Sequence, residues 1–318
     1  MAEFAPGFTD VSVIVAAYQA AGTIARTLNS IAGQTLKPKE VVVVDDGSSD
    51  ETFEAANAEA ANMNGIDLRV FRTEDNLGAG AARNRAIEEA KGTYLAFLDA
   101  DDEWLPSKLE RSLSYLDGGN YVLVAHDYLT GDGDAATHHD CERRFLEHGD
   151  AFVNLYRKGY IASSSVVVRR DAVIAAGGFD PGLRNAQDFD LWLALTRDQD
   201  RKFLVFGEPL SRYHPGPGGI MSHTQRRLEC CQTIAQRYLA DLKGRPGSAL
   251  MSLWFRVIAL YMEAFNAYMA RGDLVRSLVC VGAMPFRLVT GTMACIFRSP
   301  GRRGHFLELP SADGEKTR

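Results

Sequence analysis

Two short acidic runs and one later acidic pair hold most of the side chains able to do chemistry in this sequence. Asp99-Ala100-Asp101-Asp102 follows an apolar stretch, and carboxylates two apart at a strand end can both turn toward one hard cation. Such oxygen ligands suit Mn²⁺ or Mg²⁺, which keep water and substrate phosphate as their other ligands. A solvated acidic turn has the same spelling; the position after a buried strand is what favours metal. Asp45-Asp46-Gly47-Ser48 also follows an apolar run. A carboxylate there can accept hydrogen bonds from a ribose hydroxyl or a base N–H, while Ser48 and Asp50 cap the next helix. Asn76-Leu77-Gly78-Ala79-Gly80 precedes Ala82-Arg83-Asn84 at a helix start. Glycines bring backbone close to phosphate, a helix N-terminus favours anions, and Arg83 can reach a diphosphate.

Gln187-Asp188-Phe189-Asp190 opens a helix, where residues two apart diverge, so one of the two carboxylates faces a cleft. The readings are a helix cap or a general base for a hydroxyl nucleophile. His214, in Tyr213-His214-Pro215-Gly216 beside Arg212, lies in a loop that could close over a ligand and touch metal or diphosphate. Its other reading is an ordinary exposed histidine. A dinucleotide site is disfavoured, because the glycine motif follows the third strand and carries Arg83 where Gly or Ala is expected.

These clusters need a scaffold, and the apolar pattern supplies one. Val11 to Ala16, Val41 to Val44, Leu68 to Phe71 and Tyr94 to Leu98 read as buried strands. Thr23 to Ala32, the stretch to about Met63, and Ala79 to Ala90 read as helices between them. Strands that are apolar throughout, separated by amphipathic helices, predict a mostly parallel sheet covered on both faces. Ligands of such sheets bind beyond the carboxyl ends of the strands, where the clusters at Ala17-Tyr18, Asp45-Asp46 and Asp99 to Asp102 fall. Further on, Tyr121 to Ala125, Ser164 to Val168 and Phe203 to Phe206 read as strands, Asp188 to Thr196 as a helix, and Arg212 to Ser222 as a loop. From His223 the chain reads as helical, with breaks at Gly244 to Gly247 and at Arg271-Gly272-Asp273. The expected division is therefore an α/β unit over 1–222 and a helical region over 223–318.

Composition narrows the classes. The 318 residues exceed one typical core, and 46% apolar with 24% charged residues fits a globular protein. A net charge of −6 argues against a nucleic-acid partner. Five cysteines without a Cys-x-x-Cys pair argue against a disulfide framework or a zinc cage. Met1 to Asp10 shows no secretion signal, so the expected location is cytoplasmic. No stretch reads as the ~20 apolar residues that span a bilayer. The nearest, Leu288 to Phe297, is flanked by Arg287, Arg298, Arg302 and Arg303. It reads either as an interfacial contact with anionic lipid or as a buried helix with a basic end.

Val11 to Tyr18, Asp45 to Asp50, Asn76 to Asn84, Phe97 to Trp104 and Gly177 to Trp192 occur in that order, and together they resemble the family-2 inverting glycosyltransferases of GT-A fold. The resemblance covers roughly residues 10 to 222 and leaves the helical tail uncovered. It implies a division of roles. Ala16 and Tyr18 would line a nucleoside pocket, Asp46 would contact base or ribose, and Arg83 would hold the diphosphate. Asp101 would bind the Mn²⁺ or Mg²⁺ that bridges the diphosphate, with Asp99 helping through ribose or metal-bound water. Asp188 would take the proton from the acceptor. The family often has Glu before this Asp, where the present chain has Gln187, and Asp190 is the fallback base. The implied donor is a UDP-sugar. The implied acceptor is a glycan, a lipid-linked glycan or a protein, in polysaccharide or glycolipid biosynthesis, with a peripheral contact at the inner face of the cytoplasmic membrane. The rival readings are a sugar-phosphate nucleotidyltransferase, whose Gly-rich signature after the first strand is absent, and a non-catalytic protein of the same fold.

Overall fold

Val41 to Val44 are fully buried, and side chains of a strand alternate between its faces, so both faces of this sheet must be covered. The computed structural model describes residues 7–131, 133–147, 149–214, 223–297 and 303–307, without the side chains of 134 and 294–297. Strand β1 (Phe8–Ala17) leads through helix α1 (Ile24–Ala32) to β2 (Lys37–Asp45), then through α2 (Thr52–Ala58) to β3 (Asp67–Arg72) and through α3 (Ala79–Glu89) to β4 (Tyr94–Phe97). All pairings among these four strands are parallel. Ile14, Val42, Val44 and Phe97 face one core, which α3 closes with Ala82, Ala86 and Ile87. Val13, Val15, Val41 and Val43 face the other, which α1 closes with Ile24, Leu28 and Ile31.

The next segment contains β5 (Glu103–Trp104), α4 (Lys108–Gly118), β6 (Tyr121–Thr130), β7 (Thr137–His139), α5 (Cys141–Leu146) and α6 (Ala151–Lys158). Then follow β8 (Val167–Arg169), α7 (Arg170–Ala175), α8 (Gln187–Thr196) and β9 (Lys202–Tyr213). The strand order is β3-β2-β1-β4-β8-β6-β9-β5, with β7 beside β6. Here the expected parallel arrangement gives way. β8 runs antiparallel to both β4 and β6, while β9 runs parallel to β6. The amino end of an antiparallel strand lies at the same rim as the carboxyl ends of its parallel neighbours. That rim therefore receives the chain entering β8 as well as the chains leaving β4, β6 and β9.

Three expected boundaries move, each for a local reason. The strand expected over Ser164 to Val168 starts at Val167, because Ser165 bonds back to the Ala162 carbonyl through both its N–H (3.1 Å) and its hydroxyl (2.8 Å) and closes a 3₁₀ turn over Ser163–Ser165. The strand expected over Phe203 to Phe206 continues to Tyr213. The register shifts between His126↔Phe206 and Tyr128↔Ser211, so Gly207 to Leu210 are carried in a bulge rather than ending the strand. Arg212 and Tyr213 are thus strand rather than loop, and the Gly- and Pro-rich residues from 215 to 222 lie outside the described residues.

The helical region is α9 (Thr224–Arg237), α10 (Ala249–Ala270) and α11 (Leu274–Phe297), broken where the sequence indicated. Gly272, at φ +75°, supplies the left-handed residue after α10. Ile234, Tyr238, Leu253 and Leu260 join the same core as Trp192 and Leu193 of α8, so α9 and α10 are packed into the α/β unit. One sequence expectation is corrected. Arg276 and Arg287 interrupt the apolar run, yet Leu274–Met293 is a 20-residue helical stretch of mean hydropathy 1.4, long and apolar enough to cross a membrane by length and composition.

Candidate active site at the rim of the sheet

Leu98 N–H bonds to the Ile14 carbonyl (3.1 Å) and Phe97 N–H to the Val166 carbonyl (3.3 Å), so the acidic turn after β4 starts from a point fixed on two sides. Asp99 and Asp101 are half-buried; Asp102 is buried. Asp99 accepts from Arg83 at 2.6 Å, and that guanidinium, 7% exposed, lies over the Phe179 ring at 5.3 Å. Asp102 accepts from the Ser164 hydroxyl through one oxygen and from the His214 N–H (3.1 Å) through the other. Burial first, then the neighbouring Asp99 charge, pushes the Asp101 carboxyl above the ordinary range. The same two causes, with Asp101 adding to them, push Asp102 further up against the opposing Ser164 hydrogen bond.

Among the described residues, Arg83 is the one cation in ion-pair contact with these three carboxylates. A surplus of negative charge on an all-oxygen donor set fits a hard divalent cation. No group of three or more His, Cys, Asp or Glu able to hold a metal occurs among the described residues, so water and a substrate phosphate would have to complete its shell. His214, named from the sequence as a further ligand, turns its Nε2 to within 3.1 Å of Glu103, which also pairs with Arg26 at 3.3 Å.

The antiparallel β8 explains how a distant residue joins this turn. Ser163 and Ser164, at its amino end, sit side by side at the rim. The Ser163 hydroxyl donates to Asp188 Oδ2 (3.1 Å). The Ser164 hydroxyl donates to Asp102 and accepts from the Asp99 N–H (3.2 Å). Adjacent Cα atoms are about 3.8 Å apart, so two consecutive serines span the gap between the acidic turn and the start of α8. A second tie fixes the same approach from the other side: Asn84 of α3 bonds both the N–H (2.7 Å) and the carbonyl (2.8 Å) of Phe179, ahead of α8. Asp188 is half-buried with one oxygen held by Ser163; Asp190, two residues on, is fully buried and bound by Arg237 (2.6 Å) and Arg303 (2.7 Å). The two faces diverge as the helix geometry required, and the fallback base is consumed by an internal ion pair.

The nucleoside-side residues are placed unevenly. Tyr18 is 51% exposed where the chain turns at Gln19 (φ 53°), and Ala16 is half-buried beside it at the end of β1. Asp46 is 2% exposed, and its oxygens accept from Leu77 N–H (2.9 Å) and Gly78 N–H (2.7 Å), so it pins the glycine loop that begins α3. That loop passes so close that a Cβ on Gly47 would lie 2.8 Å from Asp75 backbone, with φ already at +68°, which only glycine tolerates.

Sequence reading gave no site role to Ser163, Ser164 or Lys108, and named Asp102 and Trp104 only as members of longer motifs. Trp104 donates its indole N–H to the Ser164 carbonyl (2.8 Å), and the fully buried Lys108 amine lies 4.1 Å from the Trp104 ring centroid and 3.3 Å from the Val166 carbonyl. Three consecutive serines before an apolar run were visible as a signal, but their value depends on the strand's direction, which no local pattern encodes.

The model of the glycosyl transferase family 2 matches residues 12–176. The amylovoran biosynthesis glycosyltransferase AmsB of Erwinia amylovora is 30% identical over 210 residues, covering 64% of this chain and 69% of its own. The UDP-Glc:alpha-D-GlcNAc-diphosphoundecaprenol beta-1,3-glucosyltransferase WfgD of Escherichia coli is 27% identical over 227 residues, covering 69% of this chain and 82% of its own. Among solved structures, the Pyrobaculum calidifontis mannosyltransferase PcManGT, in complex with GDP-Man and Mn²⁺, superposes with TM-score 0.60 at 19% identity over 91% of this chain and 87% of its own; this likeness shows the fold.

Proposed function

Since the chain belongs to glycosyl transferase family 2, we propose that it moves a sugar from a UDP-sugar to an acceptor hydroxyl with inversion, in the biosynthesis of a cell-surface polysaccharide or glycolipid. The observation that carries this reading is the pair of adjacent serines, one holding Asp188 and the other holding the Asp99–Asp102 turn. A base and a diphosphate site bridged this closely suit an attack between two substrates.

In this reading Ala16 and Tyr18 line the nucleoside pocket, and Asp46 braces its wall through Leu77 and Gly78. Arg83 and the start of α3 hold the diphosphate. Asp101 and Asp99 would hold Mn²⁺ or Mg²⁺, with His214, now paired with Glu103, as a further ligand. The cation supplies positive charge against the charge left on the departing diphosphate. Asp188 accepts the acceptor's hydroxyl proton as that oxygen forms its bond to the anomeric carbon, and the bond from that carbon to the diphosphate oxygen breaks on the opposite face. Ser163 engages Oδ2 and the Phe189 N–H donates to Oδ1 (2.8 Å), so the carboxylate is held on both oxygens and each keeps a lone pair to take the proton. The acceptor is a lipid-linked glycan, which places the enzyme at the inner face of the cytoplasmic membrane; WfgD, with its diphosphoundecaprenol-linked acceptor, supports this choice.

The test is nucleotide release from a panel of UDP-sugars with Mn²⁺ present or chelated. Metal-dependent release of UDP from at least one member is expected. Consumption of nucleoside triphosphate with sugar phosphate would favour a nucleotidyltransferase, and turnover of neither would leave only a binding protein.

A further inference from the structure

Fourteen of the seventeen large apolar side chains exposed among the described residues lie on α10 and α11. They include Phe255, Ile258 and Met262 on α10, and Leu278, Val279 and Phe286 on α11, the last three 62–70% exposed. A patch of this kind on a folded surface marks an interaction site. Its charge identifies the occupant. The chain as a whole carries −6, yet residues 274–302 contain four arginines and no Asp or Glu, and the acidic residue just before them, Asp273, pairs with Arg276 at 3.4 Å. Arg276 and Arg287 stand exposed within the apolar surface. An apolar face studded with cations matches the boundary between acyl chains and anionic headgroups.

The composition of α11 alone would allow it to span a bilayer. Its attachments forbid this. α11 lies along α10: Trp254 donates its indole N–H to Thr292 (3.0 Å), and a Cβ on Gly291 would lie 3.2 Å from Leu253. α10 is in turn bound to the α/β unit: Arg256 stacks over Phe189 at 4.5 Å, and Ser252 accepts from Arg157 at 3.1 Å. After α11 the described residues resume at Arg303. Arg303 bonds Asp190, and Phe306 N–H bonds the Gly177 carbonyl (2.8 Å). The six peptide steps from 297 to 303 reach at most about 20 Å, less than a bilayer core of about 30 Å. Both ends of α11 therefore sit on the side of the catalytic unit. Arg303, which the sequence offered as a membrane-flanking cation, is 5% exposed and belongs to the protein interior.

We propose that α10 and α11 form a monotopic membrane-docking face, lying flat in one leaflet that carries anionic headgroups, with α11 not crossing the bilayer. A 24-residue helix would lie along about 36 Å of that surface. This deepens the reading of a lipid-linked acceptor, since it fixes which face of the enzyme meets the lipid.

The experiment uses the purified full chain without nucleotide sugar, so its failure leaves the transferase reading standing. Vesicles of phosphatidylcholine alone and with phosphatidylglycerol are added, and sedimentation is measured. Preferential binding to phosphatidylglycerol vesicles that weakens with salt is expected, with release by alkaline carbonate. Val279→Glu with Phe286→Glu should reduce binding about tenfold or more, while UDP release from donor is unchanged. Equal binding to both vesicle types would overturn the headgroup assignment, and carbonate-resistant binding would overturn the in-plane orientation. Failure to bind, with a stable dimer in solution that the double variant dissolves, would assign the face to a second copy instead.

Discussion

The protein contains two acidic regions that share a helix and differ in how their charge is balanced. At the interior knot, Asp180 and Asp190 meet Arg237 and Arg303, two carboxylates against two guanidinium groups, with contacts of 2.6–2.8 Å. At the rim, Asp99 pairs with Arg83 while Asp101 and Asp102 have no ion-pair partner among the described residues, and the latter two carboxyls are held above their ordinary range. The knot is satisfied within the chain and has nothing left to offer a ligand. The rim is hydrogen-bonded but short of positive charge, at a cost in stability that a cation brought from outside would relieve. Asp188 and Asp190, two residues apart, fall on opposite sides of this divide.

The largest test of the divide exchanges the roles of those two residues. Asp188→Asn should lower kcat by about 10²–10⁴-fold with donor KM and melting temperature nearly unchanged, because a general base acts on the acceptor. Asp190→Asn should do the reverse. It leaves the 5%-exposed Arg303 without a carboxylate and Arg237 with Asp180 alone, and should cost about 3–5 kcal/mol of unfolding free energy in urea denaturation, while the folded fraction keeps its kcat. A Asp188→Asn variant with normal kcat, or an Asp190→Asn variant as stable as the parent, breaks the comparison. Next in size, Asp101→Asn should raise the melting temperature in chelator, by relieving repulsion at the rim, yet lose the further rise that Mn²⁺ gives the parent. A melting temperature that falls in chelator would show that the rim is balanced after all.

Lys108 sharpens the contrast from the positive side, as a fully buried amine with no carboxylate beside it among the described residues. Burial holds its pKa well below the ordinary 10.5. Between that lowered value and 10.5 the unfolded chain binds the proton and the folded chain does not, so stability rises with pH across this window and is fully present above it. Lys108→Met should flatten this rise and lift the melting temperature at neutral pH by about 2–4 °C. An unchanged pH profile of stability would mean that the amine stays charged in the fold.

How far the sequence foretold all this follows from the same physics. The parallel half was legible because β1, β2 and β4 each carry an unbroken apolar run that ends in a polar turn, with β3 a shorter run interrupted by Arg69, and Asp99 to Asp102 are read from those few residues alone. The mixed half was not. β5 and β7 are two and three residues long, too short for a period, and β9 crosses a bulge spelled Gly207-Glu208-Pro209, which locally reads as a stop. Asp190 looked interchangeable with Asp188 because its partners lie 47 and 113 residues further along the chain. The apolar face of α10 and α11 was underestimated because Arg276 and Arg287 interrupt the run in sequence without covering it in space.

The smallest effect tests the link that joins the rim to the base. Ser163 is held in its turn by backbone bonds, so removing its hydroxyl should leave the turn intact and free one oxygen of Asp188. One hydrogen bond to a partly solvated carboxylate is worth about 1 kcal/mol, so Ser163→Ala should lower kcat about fivefold with donor KM unchanged. Ser163→Thr keeps the hydroxyl and should restore most of the loss, which a change in packing alone would not do. Ser164→Ala should act differently, because Ser164 holds Asp102 and the Asp99 N–H: it should raise donor KM and the Mn²⁺ requirement more than it lowers kcat. If both variants produced the same change in the same constant, the two serines would be one structural turn rather than two separate supports, and the bridge between base and acidic turn would lose its functional meaning.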